Sequence, residues 1–104
     1  MANSWNIPGW LEKEVRERDK KCVYCGVEFT TAKVSKKTCA SWEHIINDAK
    51  IITRENISLC CCSCNASKGQ KQLSSWLESK YCIDRGINKE SVAPIIQKAI
   101  ENGL

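Results

Sequence analysis

Two Cys-x-x-Cys pairs constrain the fold of this chain more than any other feature of its sequence. The first pair is Cys22 and Cys25, and the second is Cys61 and Cys64. Two such pairs supply the four soft ligands that zinc prefers in a closed structural site. Gly26, directly after the first pair, permits a tight turn that points backbone amides at thiolate sulfur. The sequence therefore predicts a four-cysteine zinc site that closes the segment between the pairs into a loop.

The eight cysteines of the chain indicate either metal binding or disulfide formation. A secreted chain this rich in cysteine is typically a disulfide framework, whereas a cytosolic one indicates metal. The N-terminal residues have no basic region or apolar stretch typical of a signal peptide, and no apolar run is long enough to span a bilayer. We therefore expect a cytoplasmic protein with reduced thiols, in which Cys39, Cys60, Cys62 and Cys82 are small core cysteines. Two alternatives remain, a disulfide pair and a site that combines three cysteines with His44.

The positive charge of the chain is concentrated in its middle. At 104 residues the sequence corresponds to one domain, residues 1–104, whose modest core would benefit from a metal. The net charge of +4 falls entirely on residues 33–71. The basic residues of this segment are Lys33, Lys36, Lys37, Lys50, Arg54, Lys68 and Lys71. This distribution is typical of a protein that binds a polyanion, although a solvated basic face would give the same pattern.

The first half of the chain is predicted to hold one helix and a small β unit. Residues 7–19 are predicted to be helical, with Pro8 at the first helical position. Their apolar residues recur at helical spacing: Ile7, Trp10, Leu11 and Val15. Residues 38–46, 51–53 and 57–59 favour extended structure, so we expect a strand–loop–strand unit there.

The second half of the chain is predicted to be helical. One helix starts at Cys64 and ends at Gly69, because glycine is a common helix stop. A second helical run carries Leu73, Trp76 and Leu77 on one face, and Cys82 to Gly86 is predicted to be a linker. The last helix covers residues 91–102. Its expected N-cap is Ser91, since this cap places Pro94 in the first turn, where proline is tolerated.

The only histidine, His44, lies next to a carboxylate. A single histidine is more often structural than catalytic, but the neighbours of His44 favour chemistry. Glu43 offers oxygen to a hard cation, which leaves His44 as a base near neutral pH. Asn65 offers a carbonyl oxygen to the same ion, and Asn56 offers a hydrogen bond to the imidazole. Adjacent side chains of a strand point to opposite sides, so Glu43 and His44 reach one phosphate only if the strand ends or twists there.

Taken together, these motifs resemble the HNH endonuclease family in its zinc-stapled branch, where four cysteines hold the zinc. Three stretches carry the resemblance: Cys-x-Tyr-Cys-Gly from Cys22, Glu-His-Ile from Glu43, and Asn-Ile-x-Leu-x-Cys-x-x-Cys-Asn-x-x-Lys-Gly from Asn56. They lie within residues 18–71. The resemblance implies an α+β fold with a small ββα-metal core, pinned by the zinc site and flanked by N- and C-terminal helices. Residues 72–104 would be the C-terminal helical extension.

The resemblance also implies a role for each site residue. His44 would be the general base, Asn56 would orient it, and Glu43 and Asn65 would bind a catalytic Mg²⁺ or Mn²⁺. The structural zinc would be held by Cys22, Cys25, Cys61 and Cys64. The residue before the histidine is more often aspartate in the family. Here it is a glutamate, one methylene longer, which puts the strength and selectivity of metal binding in question.

The implied function is a DNA endonuclease or nickase. His44 takes a proton from water, the water attacks phosphorus, and the products carry a 5′-phosphate and a 3′-hydroxyl. Four lysines are expected to contact backbone phosphates: Lys36, Lys37, Lys68 and Lys71. Two alternatives remain, a non-catalytic zinc module that binds nucleic acid and a zinc-stabilised protein-interaction domain. The flanking helices also leave a homodimer open.

Overall fold

A computed structural model describes residues 6–31, 33–46, 48 and 50–103 of the chain. Within these residues the chain forms a small α+β fold with a two-stranded antiparallel sheet and five helices. In chain order the elements are α1 (Gly9–Arg18), β1 (Ala40–His44), β2 (Ile57–Cys61), α2 (Cys62–Lys68), α3 (Leu73–Leu77), α4 (Lys80–Arg85) and α5 (Pro94–Glu101). The predicted α+β class is confirmed. No described helix is long and apolar enough to cross a membrane.

The strands β1 and β2 form a sheet that is covered on both faces. Ala40 lies opposite Cys61, and His44 lies opposite Ile57. All five residues of β2 are buried. Because side chains alternate along a strand, burial of every residue requires a layer on each face. The helix α1 packs against β2 on one side, and α2 packs against both strands on the other.

The α1 layer is a small apolar cluster. Its buried members are Ile7, Leu11, Val15, Ile57 and Leu59. Trp10, which was predicted on this face, is 60% exposed. Successive helical residues are rotated by about 100°, so Trp10 points away from the sheet when Leu11 points into it. The Arg54 guanidinium lies 5.8 Å from the Trp10 ring centre on the solvent side, and Pro8 is the N-cap, not the first helical residue.

The end of α1 covers the edge of β2 that β1 does not pair with. Asp19 is buried, and its carboxylate accepts hydrogen bonds from Leu59 N at 3.1 Å and from the Arg18 guanidinium. Arg18 also donates to the Ile57 carbonyl at 2.7 Å. Val23 N donates to the Leu59 carbonyl at 3.2 Å. These groups satisfy backbone atoms that an open strand edge would leave exposed.

Two predicted boundaries around β2 are wrong. Residues 51–53 do not form a strand, because Asn56 N and Ile57 N both donate to the Thr53 carbonyl and close a turn. The helix α2 starts at Cys62, before the predicted start at Cys64. A sulfur cap explains the earlier start, since Cys61 Sγ accepts a hydrogen bond from Cys64 N. The predicted helix end at Gly69 and the predicted helix through residues 73–77 are confirmed.

The C-terminal helices also depart from the prediction. Cys82 to Gly86 is not a linker but lies in and directly after α4, which Ser79 caps by accepting a hydrogen bond from Cys82 N at 3.3 Å. The helix α5 begins at Pro94 with Ala93 at its N-cap position. Ser91, the predicted cap, instead accepts a hydrogen bond from Asn88 N at 2.9 Å in the preceding turn.

Candidate metal centre and the Glu43–His44 segment

Four cysteine sulfurs converge between two turns. The Sγ atoms of Cys22, Cys25, Cys61 and Cys64 all lie within 4.8 Å of one another, and those of Cys25 and Cys61 are 3.7 Å apart. Four sulfurs placed about 2.3 Å from a tetrahedral zinc ion stand about 3.8 Å from one another. The donor set and its spacing therefore fit the predicted metal site. Among the described residues, no other group of three or more His, Cys, Asp or Glu side chains is close enough to hold an ion.

Both cysteine pairs form the same turn. Cys25 N donates to Cys22 Sγ and Cys64 N donates to Cys61 Sγ, each at 3.4 Å. Gly26 follows the first pair with a φ of 77°, in the left-handed region that favours glycine. Hydrogen bonds from Cys61 and Cys64 lower the pKa of Cys22 to about 2. The same interactions raise the pKa of Cys61 and Cys64, so the cluster favours one thiolate, on Cys22, and a thiolate is the form that binds metal.

Tyr81 of α4 supports the sulfur cluster from outside. Its hydroxyl donates to Cys64 Sγ at 3.4 Å and lies 3.0 Å from Ser63 Oγ. The Tyr81 ring stacks on Trp76 at 5.9 Å, and the Arg85 guanidinium lies 3.7 Å from its centre. Groups that orient ligands in this way tune metal affinity. Nothing in the sequence pattern pointed to Tyr81. It is far from the cysteine pairs in sequence, and only the packing of α4 brings it close to them.

Glu43 is buried in a network of three side chains. Its Oε2 accepts a hydrogen bond from the Tyr24 hydroxyl at 2.5 Å and pairs with Lys68 Nζ at 3.2 Å. Lys68 is only 1% exposed, and its Nζ also donates to the Ile45 carbonyl at 3.2 Å. Burial raises the pKa of Glu43, while Lys68 and Tyr24 oppose this rise. The carboxylate predicted to hold a divalent ion is therefore already compensated by an ammonium group.

Lys68 is poorly placed for the phosphate contact predicted for it, because its side chain is buried and its ammonium group is bonded to Glu43 and to the Ile45 carbonyl. The position of Lys68 in the sequence is consistent with its burial. Lys68 follows Asn65 by three residues, an interval that places both side chains on the same face of α2, toward β1. Lys36, Lys37 and Lys71 are exposed. Their contact with phosphate stays a prediction.

Asn65 contacts β1 at a different place from Lys68. Its side-chain amide donates to Ser41 Oγ at 3.0 Å and to the Trp42 carbonyl at 3.3 Å. A divalent ion shared by Glu43 and Asn65 would have to compete with Lys68 for the carboxylate. Binding of a divalent ion by Glu43 and Asn65 stays a prediction.

Asn56 fixes the backbone directly after His44. Its Oδ1 accepts a hydrogen bond from Ile46 N at 2.6 Å, and its amide donates to the Ile51 carbonyl at 3.1 Å. The Asn56 carbonyl accepts from Ile45 N at 2.9 Å. These bonds hold the turn that follows β1, so Asn56 acts on the position of His44 through the chain.

His44 ends β1 and is 8% exposed. Ile57, the residue opposite His44 in the sheet, packs against α1. Glu43 forms its ion pair with Lys68 of α2, on the other face of the sheet. Burial lowers the pKa of His44, the charge of Lys68 lowers it further, and Asp48 raises it. The lowered pKa favours the neutral imidazole, which is the state that a general base requires.

In comparisons with known proteins, no family model, curated protein or solved structure matches this chain. The resemblance to HNH endonucleases therefore rests on the sequence motifs. The structure itself shows a small α+β fold with four cysteines placed to bind a metal.

Proposed function

We propose that this protein is a metal-dependent DNA endonuclease or nickase with an HNH-type ββα core, a structural zinc and His44 as general base. The observation that carries the proposal is the order β1, β2, α2. His44 ends the first strand, and the second cysteine pair lies where the second strand passes into the helix. This is the arrangement that the motif resemblance implies. Zinc bound by the four cysteines would hold the helix and hairpin to the first turn.

The proposed reaction uses His44 in its neutral form. The imidazole takes a proton from water, and the oxygen of that water attacks phosphorus. Cleavage leaves a 5′-phosphate and a 3′-hydroxyl. The exposed Lys36, Lys37 and Lys71 would hold the flanking backbone through charge. The Mg²⁺ or Mn²⁺ that the resemblance implies would have to displace Lys68 before it could bind Glu43.

The burial of Glu43 favours a second candidate function, a zinc module that binds nucleic acid without cleaving it. Glu43 is held by Tyr24 and Lys68, and neither partner is accessible from solvent. A binding module needs no open oxygen site. It would retain the cysteine cluster and the exposed lysines, which are sufficient for salt-dependent binding.

The nuclease proposal predicts that the wild-type protein converts supercoiled plasmid to open-circular or linear DNA with Mg²⁺ or Mn²⁺. His44→Gln should lower the initial nicking rate by roughly 10²–10⁴-fold, because the general base is removed while a neutral polar side chain remains. Gel densitometry of the open-circular product gives the rate. The matched control is Lys71→Gln, which removes one exposed charge and should mainly weaken DNA binding.

Three results separate the candidates. Equal rates for wild type and His44→Gln would reject His44 as the base. Absence of cleavage by wild type under either ion, with a salt-sensitive gel shift of DNA, would replace the nuclease by the binding module. Absence of both cleavage and DNA binding would reject both and leave a protein-interaction domain.

The nicking rate is also expected to depend on the ionisation of His44. Because burial and Lys68 lower the pKa of His44, the rate should rise with pH through a midpoint below the ordinary value of 6.5 and level off by neutral pH. The sign follows from the need for an unprotonated base. Initial rates across a buffer series at constant ionic strength test this. A pH-independent rate, or a midpoint above 6.5, would contradict it.

A further inference from the structure

Cys39 and Cys62 form a second pair of sulfurs, separate from the four-cysteine cluster. Their Sγ atoms are 2.6 Å apart, which is closer than the 3.7 Å between Cys25 and Cys61. Both side chains are half-buried, so a small molecule in solvent can reach them. They were predicted to be core thiols, and that description fits Cys82, which is fully buried, better than either of them.

These two cysteines lie at the end of the sheet. Cys39 directly precedes Ala40 and Cys62 directly follows Cys61, and Ala40 and Cys61 are the last pair of the two strands. Cys62 N donates to the Cys39 carbonyl at 3.0 Å. This backbone bond and the short contact between the two Sγ atoms hold the side chains against each other, as formation of a disulfide requires.

We propose that Cys39 and Cys62 are a redox site that closes to a disulfide while the four-cysteine metal site stays intact. The oxidant is a low-molecular-weight disulfide of the glutathione type. The thiolate of one cysteine attacks a sulfur of the oxidant, forms a mixed disulfide and releases one small thiolate. The second cysteine attacks the protein sulfur of that bond and releases the other small thiolate. The protein loses two protons and two electrons, and the oxidant is reduced to two thiols.

The surroundings of the pair suit an anionic oxidant. Lys36 and Lys37 are exposed and precede Cys39 in the same turn. Cys39 Sγ donates to the Lys36 carbonyl at 3.4 Å, and Ser63 N donates to the Lys37 carbonyl at 3.0 Å. The lysines are therefore held beside the pair, where their charge attracts the carboxylates of glutathione.

A bond between Cys39 and Cys62 would enclose the whole β1–β2 hairpin, including Glu43 and His44. It would fasten the basic turn to the start of α2, next to the cysteine cluster. This inference does not rest on the nuclease proposal, because the two sulfurs are in contact whether or not the protein cleaves DNA.

The test uses the zinc-loaded protein incubated with oxidised glutathione. We expect two of the eight thiols to be lost, a Cys39–Cys62 cross-link in the peptide map, and no zinc release to a coloured chelator. Cys39→Ser and Cys62→Ser should form no internal bond and carry at most one glutathione adduct. Cys82→Ser, which changes a buried cysteine outside both groups, should still form the cross-link.

Several outcomes would overturn the proposal. Zinc release at the same rate as thiol loss would make the cluster, where Cys25 is exposed, the site of oxidation. A glutathione adduct on wild type that never resolves to the cross-link would show that the two sulfurs do not react with each other. The absence of thiol loss after prolonged incubation would also reject the redox site.

Discussion

Removal of the metal is expected to unfold this protein. Structural zinc contributes about 10–16 kcal/mol of apparent binding free energy, whereas the net free energy of unfolding of a domain is about 5–15 kcal/mol. The cysteine cluster joins the turn after α1, the end of β2 and the start of α2. Tyr24 lies between the two cysteines of the first pair and Lys68 ends the helix that contains Cys64, so a bound metal would also hold the two partners of Glu43 in place.

The measurement combines circular dichroism with metal content during treatment with an excess of a strong chelator. The helical signal should fall as the metal is lost and return when zinc is added back. Cys61→Ser should show the same loss of structure without chelator. Cys82→Ser is the matched control, because it changes an equally buried thiol that lies outside the cluster. A helical signal that persists after complete loss of metal would contradict the prediction.

The cysteine cluster could be predicted because each cysteine pair is recognised from the spacing of two nearby residues. Two residues between cysteines are enough to shape a turn around sulfur, and both pairs form that turn. The apolar face of the last helix is predictable for a similar reason, because Val92, Ile95, Ile96, Ala99 and Ile100 recur at helical spacing. Its spacing marks Ile96 and Ala99, which are buried, without reference to any other element.

The network around Glu43 could not be predicted because three separate segments build it. Tyr24 comes from a cysteine turn, Glu43 from β1 and Lys68 from α2. None of these three residues shows a sequence pattern that indicates the network, and a lysine in a basic stretch is normally predicted to be exposed. Burial of Lys68 follows only once α2 is known to lie across the strand that carries Glu43. The Cys39–Cys62 contact likewise depends on the strand register, which hydrophobic spacing alone did not determine.

Replacement of Lys68 by methionine is expected to lower the free energy of unfolding by about 3–5 kcal/mol. Methionine keeps much of the volume and removes the charge, so Glu43 is left buried without its cation. The Ile45 carbonyl also loses its hydrogen bond from Lys68. Urea unfolding of the zinc-loaded protein measures the loss. Lys71→Met, an exposed lysine three residues later, should change the free energy of unfolding by less than about 0.5 kcal/mol.

The double variant Lys68→Met with Glu43→Gln tests whether the charge is the cause. It removes both charges and keeps an acceptor for Tyr24, so it should be more stable than either single variant. A pH series gives an independent test, because the direction in which the stability deficit changes with pH is predicted. Without Lys68 the pKa of Glu43 rises further above 4.5, so the folded state of Lys68→Met binds more protons than the unfolded state above that value. Its stability deficit should therefore shrink as pH falls from neutral toward about 5, where Glu43 can be neutral. A deficit that is independent of pH and persists in the double variant would mean that Lys68 acts through packing, and that Glu43 does not depend on its charge.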